Sequence, residues 1–242
     1  MSAQTPEIIR LGTVESTMLE AASLAADGRP HGTAVVAEAQ TGGIGRHGHS
    51  WHSEPGSGLY VSVVLRLPLG PTELPVLTLA LGLATAEAIT LSTGLVCDLR
   101  WPNDILIHRK KAAGILVQFS DGVVIAGIGV NVNHAKFSPH LQEEATSLRL
   151  ASGAATDREQ LLHNLLSAVE STSQILANNG KAAILKIFCD SSSFASGKRV
   201  RVDVGGRHIE GVTAGLDHSG FLLVRKLDGQ IETVMAGGVR PA

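Results

Sequence analysis

The chain has 242 residues, a formal charge of −2 and 44% apolar residues. The near-neutral balance excludes a global field for gripping nucleic acid, and the apolar share supports a packed core and excludes disorder. The two cysteines, Cys97 and Cys189, lack C-x-x-C spacing, which excludes a disulfide framework and fits a reducing compartment. The first residues, MSAQTPEIIRLGTVES, carry neither the basic start nor the apolar run of a signal peptide. A soluble, cytoplasmic protein is expected, with no membrane or nucleic-acid partner.

The first element is a short strand at IIRLG, 8–12. Ser16 or Thr17 then offers an N-cap for MLEAASLAADG, a helix stopped by Gly28 and Pro30. A buried strand over 32–40 feeds the loop TGGIGRHGHSW, and GLYVSVVLRL, 58–67, is a second strand. The most hydrophobic stretch, Pro75 to Cys97, is interrupted by Glu87 and threonines, so it reads as a buried amphipathic helix rather than a span, which needs ~20 nearly uninterrupted apolar residues. CDLRW, ILIHR, AAGILVQF and VVIAGIGVNVN are four apolar runs joined by the tight turns PND, RKK and SDG. Many adjacent strands with short links predict an α+β layer arrangement, a mixed or antiparallel central sheet with helices on one face. REQLLHNLLSAVESTSQIL is helix-periodic, and KAAILKIF extends or follows it. Beyond Ser193 come five short strands separated by GG, DHSG and DG turns, a small β-barrel. The expected division is 1–190 and 191–242.

In the loop, Gly43, Gly45 and Gly48 match G-x-G-x-x-G, the spacing of a dinucleotide fold. That reading needs a helix after the glycines, and Pro55, Gly56 and Gly58 forbid one. Consecutive backbone N–H groups can still form an anion-binding nest, with Arg46 adding a guanidinium fork. His47, His49 and His52 form H-x-H-x-x-H, but without a carboxylate pattern or a fourth ligand they do not predict a zinc site. The remaining seven histidines read as solvated or core residues.

RWPNDILIHRKKAAGILVQ places Asn103 and Asp104 on a bend and delivers cations from Arg109, Lys110 and Lys111 at the start of a buried strand. An acid for Mg²⁺ and a lysine for negative charge suit phosphoryl or adenylyl chemistry. A plain turn and a solvated hairpin tip are the alternatives. GIGVNVN ends a strand on Asn131 and Asn133, which could read an adenine edge or only cap the strand.

Taken in order, Ser16-Thr17, AEAQTGGIGRHGHSW, GSGLYVSVVLR, RWPND, KKAAGILV, GIGVNVN, ATSL (145–148) and the terminal β module resemble the biotin protein ligases over almost the whole chain. The resemblance implies a catalytic domain with a mixed sheet plus a small SH3-like barrel. Because the motifs start by residue 8, it implies the ligase form without an N-terminal DNA-binding domain. It implies that Ser16, Thr17 and Gln40 hold the ureido head of biotin and that Leu116 lines its tail. Gly43, Gly45 and Arg46 would belong to a loop that closes over the ligand, with Trp51 against the nucleotide. Lys111 would sit at the carboxylate–phosphate junction, with Gly114 allowing close backbone approach. Asn103 and Asp104 would face the ATP phosphates and Mg²⁺, and Asn131 the adenine. Asp104 could also assist deprotonation of the acceptor lysine.

The implied reaction uses biotin and MgATP to make biotinyl-5′-AMP, then transfers biotin to a lysine of a biotin carboxyl carrier protein. Whether the sheet pairs with a second copy stays open. Departures from the family pattern are Ile44 and His49 where G-R-G-R-x-G-R has arginines, Met18 for an asparagine and Arg100 for a lysine. HAKFSPHLQE, 134–143, offers Phe137 but no tryptophan. Ile44 and His49 keep open a catalytically weak biotin- or adenylate-binding protein. A lipoate or octanoyl transferase is the other alternative.

Overall fold

The computed structural model describes residues 7–242 and, at His47, the backbone alone. The leader pattern sought at the N-terminus falls partly on residues 1–6, outside the described residues. The elements run β1 (Ile8–Val14), α1 (Thr17–Ala26), β2 (Ala34–Gln40), β3 (Gly58–Leu65), α2 (Leu74–Thr93), β4 (Asp98–Arg100), β5 (Asp104–Ile107), β6 (Lys110–Ser120), β7 (Val123–Asn131), α3 (Leu148–Ser152), α4 (Arg158–Asn179), α5 (Lys181–Ser191), β8 (Ser196–Val204), β9 (Arg207–Leu216), β10 (Leu222–Arg225), β11 (Ile231–Val234) and β12 (Gly238–Pro241).

Seven strands form a mixed sheet in the order β1-β2-β3-β7-β6-β5-β4. β1 and β2 are parallel, and the other neighbours are antiparallel, joined from β4 to β7 by tight turns. The β5–β6 turn is centred on His108 and Arg109, both at positive φ (48° and 67°), so Lys110 and Lys111 already belong to β6 rather than to the turn. A second, antiparallel sheet holds the last five strands in the order β11-β10-β9-β8-β12.

β3 is buried along its whole length, so the main sheet is covered on both faces. Alternate residues of its strands, among them Val63, Leu65, Val124 and Ile128, pack with α2 and α4. The opposite parity, Val35, Val64, Val123 and Ile125, packs with Met18 and Ala21 of α1. The expected helical layer is therefore present on one face, and α1 adds cover to the other. The reason is topological: a parallel pair needs a crossover, and α1 is the crossover between β1 and β2.

α2 is long and apolar enough to cross a bilayer by length and composition alone. Here it is sandwiched between the sheet and α4, with ten of its residues buried. That placement explains why it is apolar nearly all round rather than along one stripe. Val200, Val202, Leu222 and Val224 of the second sheet join the same apolar cluster, so the two sheets share a core. The Trp101 indole N–H donates to the Gly220 carbonyl at 2.9 Å, tying the β4–β5 turn to that second sheet.

Candidate active site

The site lies on the α1 face of the main sheet. Gly114 of β6 and Gly129 of β7 are direct cross-strand partners. With no side chain at either, a bare patch is left in the pleated surface, and the Trp51 indole lies on it. A Cβ at Gly129 would come 2.5 Å from the Trp51 ring, and one at Gly114 would come 3.0 Å from it. Glycine in a strand interior marks this kind of close approach. The indole N–H is buried without a partner, which costs roughly 1–3 kcal/mol. Packing and the Lys111 ammonium, 5.3 Å from the ring centroid, hold the indole in place.

Lys111, the second residue of β6, is anchored through its backbone. Its N–H donates to Glu144 O, and its carbonyl accepts from Thr146 N. The Lys111 Nζ lies 2.6 Å from Asp104 Oδ1, a close ion pair. Arg100 donates to the other oxygen, at 2.7 Å. Burial pushes the Asp104 carboxyl up in pKa, but Lys111 and Arg100 outweigh it and hold the group below the usual carboxylate range. With Lys111 at one carboxylate oxygen and Arg100 at the other, Asp104 is ion-paired on both sides.

The flap between β2 and β3 is a miniature hairpin. Ile44 bridges Ser50, Trp51 N–H donates to Gly43 O at 2.8 Å, and Gly45 N–H donates to His49 O at 2.7 Å. A single tight turn, Arg46–Gly48, forms its tip, and no α-helix follows. The dinucleotide reading fails in the structure for the reason given by Pro55 and the glycines. A Cβ at Gly43 would meet Gln40 Nε2 and Trp51 O at 3.0 Å, so the flap needs glycine there. At Gly45 the nearest atom would be at an ordinary 3.5 Å.

Arg46 donates to Asn103 Oδ1 at 3.3 Å and to Gly237 O at 3.4 Å, and burial lowers its pKa despite the neighbouring Asp104 charge. Asn103 is itself fixed, its Nδ2 donating to Ile115 O. Its Oδ1 is thereby turned toward Arg46, while one Nδ2 hydrogen has no partner among the described residues. Arg46 and Leu116 border a cleft of about 330 Å³ that also reaches Trp101, Pro102 and Met235.

At the other end of the flap is a chain of neutral polar groups. The Ser16 hydroxyl caps α1 by accepting from Met18 N. Thr17 donates through both its N–H and its hydroxyl to Gln40 Oε1, at 2.9 and 3.1 Å. Gln40 Nε2 donates to Ser53 Oγ at 3.2 Å. Thr17 Oγ1 also shares a 2.8 Å hydrogen bond with Ser62 Oγ, a residue the sequence reading missed because it is one serine inside an apolar strand. Asn131 is buried, and its amide donates to Thr146 O and Lys111 O, so a base could meet only its carbonyl oxygen.

His134, just past β7, is fully buried, and neither ring nitrogen has a hydrogen-bond partner. It stacks on Phe137, with ring centroids 5.2 Å apart. His52 and Glu54 stand beside it, the ligand-type atoms of all three within 4.8 Å of one another. Of the loop histidines with described side chains, His52 belongs to this group and His49 does not; the His47 side chain lies outside the described residues. Burial holds the His134 ring below its usual pKa, with Glu54 opposing and His52 reinforcing the shift.

The site thus brings a glycine flap, a lysine and a chain of neutral polar groups to one face of a mixed sheet. The Biotin/lipoate A/B protein ligase family matches residues 13–134, and the Biotin protein ligase C terminal domain matches 195–239. The chain belongs to the biotin/lipoate A/B protein ligase family. A biotin–[acetyl-CoA-carboxylase] ligase of Mycobacterium tuberculosis is 31% identical over 98% of this chain and 88% of its own length. A bifunctional ligase/repressor of Bacillus spizizenii is 35% identical over 92% of this chain and 70% of its own length. Among solved structures, the biotin protein ligase of Aquifex aeolicus in complex with biotin and ATP superposes with a TM-score of 0.86. It has 30% identity and covers 98% of this chain and all of its own.

Proposed function

We propose that the chain is an ATP-dependent biotin protein ligase. It joins biotin and ATP into biotinyl-5′-AMP, then passes biotin to a lysine of a biotin carboxyl carrier domain. The observation that carries this reading is the Lys111 ammonium. It is fixed by Asp104 at the edge of the Gly114–Gly129 patch and directly under the flap.

In the first step a biotin carboxylate oxygen attacks the α-phosphorus, and pyrophosphate leaves. Two anions must be held together, and the protein supplies Lys111 and Arg46 for them. Preorganised charges of this kind are worth ~10²–10³ in rate. Mg²⁺ would arrive on the ATP phosphates and neutralise them, and no side chain is assigned to it. Ser16, Thr17 and Gln40 offer matched neutral donors and acceptors for the ureido ring, with Leu116 along the tail. Asn131 is left with one acceptor for the adenine amino group.

The mixed anhydride must be kept from water until the carrier arrives. The flap from Gly43 to Trp51 provides that cover, with Trp51 lifting from the glycine patch as the ligand enters. In the second step the carrier lysine amine attacks the activated carbonyl carbon, and AMP leaves. The reading places catalysis in residues 1–190, supported by the module of 191–242, in the cytoplasm.

The test is incubation of the protein with MgATP, biotin and a biotin carboxyl carrier domain, followed by mass spectrometry of the carrier. A mass gain of one biotinyl group on a lysine is expected. Biotin binding without pyrophosphate release, or transfer of lipoate in preference to biotin, overturns the reading.

A further inference from the structure

His134 presents a problem that the ligase reading does not solve. An imidazole with both nitrogens buried and unpartnered has given up its hydration for nothing in return, and such groups call for an explanation. The ring is held flat by Phe137 on one side. His52 and Glu54 bring one imidazole and one carboxylate to it from the exposed strand connection, with ligand-type atoms within 4.8 Å. Neither takes part in the Thr17–Gln40–Ser53 chain or in the Lys111–Asp104–Arg100 group.

We propose that His52, Glu54 and His134 form a binding site for a divalent transition-metal ion of the zinc class. Two imidazole nitrogens and one carboxylate oxygen are a borderline donor set. It suits zinc, and it does not suit Mg²⁺, which prefers oxygen ligands and keeps its waters. Three protein ligands leave a fourth, open position for water. Around a tetrahedral zinc with bonds of about 2.0–2.1 Å, ligand atoms sit about 3.3 Å apart. Rotation of the exposed His52 and Glu54 side chains closes the remaining gap, while His134 stays fixed in its slot.

The site has a mechanical consequence. His52 follows Trp51, Ser53 holds Gln40, and the Glu54 carbonyl accepts from the Tyr60 hydroxyl at 3.0 Å. An ion there would pin the root of the flap to the end of β7 and leave the flap tip free.

The test uses the full chain, stripped with a chelator. It is titrated with Co²⁺ by visible absorption and with Zn²⁺ by calorimetry, neither of which reads ligase activity. One saturable equivalent is expected, with the d–d spectrum of a four- or five-coordinate cobalt and displacement by Zn²⁺ but not by excess Mg²⁺. H52A and E54Q alter exposed residues, so the fold is kept, and each should weaken binding at least ~10-fold. His134→Ala should abolish it. Absence of saturable binding, displacement by Mg²⁺, or equal affinity in H52A and E54Q overturns the proposal. Equal affinity would place the ion on other histidines.

Discussion

Gly114 and Gly129 face each other across β6 and β7, and the Trp51 indole rests on the pair. Two missing side chains thus create a recess on an otherwise filled sheet face, and the flap's own aromatic ring fills it. The same recess is the space a flat ligand would need.

Filling the recess should remove ligand binding without removing the fold. Gly129→Val puts a branched side chain where even a Cβ would lie 2.5 Å from Trp51, at a position not restricted to glycine by its backbone. Biotin affinity is expected to fall at least ~10²-fold, about 2.7 kcal/mol, with an unchanged circular dichroism spectrum. Calorimetry giving parental affinity would show that ligands bind elsewhere.

If the ring lifts as ligand enters, it should do so in view of a spectrometer. The chain has two tryptophans, and Trp101 is buried and hydrogen-bonded to Gly220. Biotin and ATP together should therefore shift the emission of the protein, and Trp51→Phe should abolish the shift. A shift that survives Trp51→Phe would assign the movement to Trp101 instead.

Lys111→Ala should slow pyrophosphate release by ~10²–10³ with a much smaller change in biotin affinity. Single-turnover measurement separates the two. Adenylate formation at the parental rate would remove Lys111 from the chemistry.

Asp104 gives a pH signature. Its folded pKa is depressed, so its stabilisation is complete above the unfolded value of about 3.9 and is lost as pH falls through the lower folded value. At pH 7, Asp104→Asn should cost about 3 kcal/mol by leaving Lys111 and Arg100 unneutralised. The gap from the parent should narrow as the pH drops below about 4. Urea melts of both proteins at pH 7 and pH 3 measure it, and a constant gap contradicts the ion-pair account.

His108 and Arg109 occupy left-handed backbone at the β5–β6 turn, where asparagine and glycine cost less. H108N combined with R109G should stabilise the fold by roughly 0.5–1 kcal/mol, about 1–4 °C in Tm, as read by calorimetry. A lower Tm would mean that the two side chains contribute more than the turn strain costs.

Much of this was legible beforehand where local chemistry decides. The runs β4 to β7 announce themselves because each apolar stretch ends on a turn-forming triplet. The flap's lack of a helix follows from Pro55 and its neighbouring glycines. The α1 layer was less visible, since Met18 and Ala21 make a short, weak apolar stripe whose face is set by a crossover rather than by spacing. In GIGVNVN the asparagines draw the eye, yet Gly129 shapes the recess and Asn131 mostly fastens backbone. His134 looked like any core histidine, because its missing partners and its approach to His52 and Glu54 exist only in three dimensions.

The indole of Trp101 reaches out of the main sheet to the Gly220 carbonyl of the small terminal sheet domain, just before the bend that carries Asn103 and Asp104. That domain therefore works as a splint. Severing it would free the bend and uncover Val200, Leu222 and their partners, so loss of the last fifty residues should be felt first as slack in the Asn103–Asp104 bend rather than as a missing accessory.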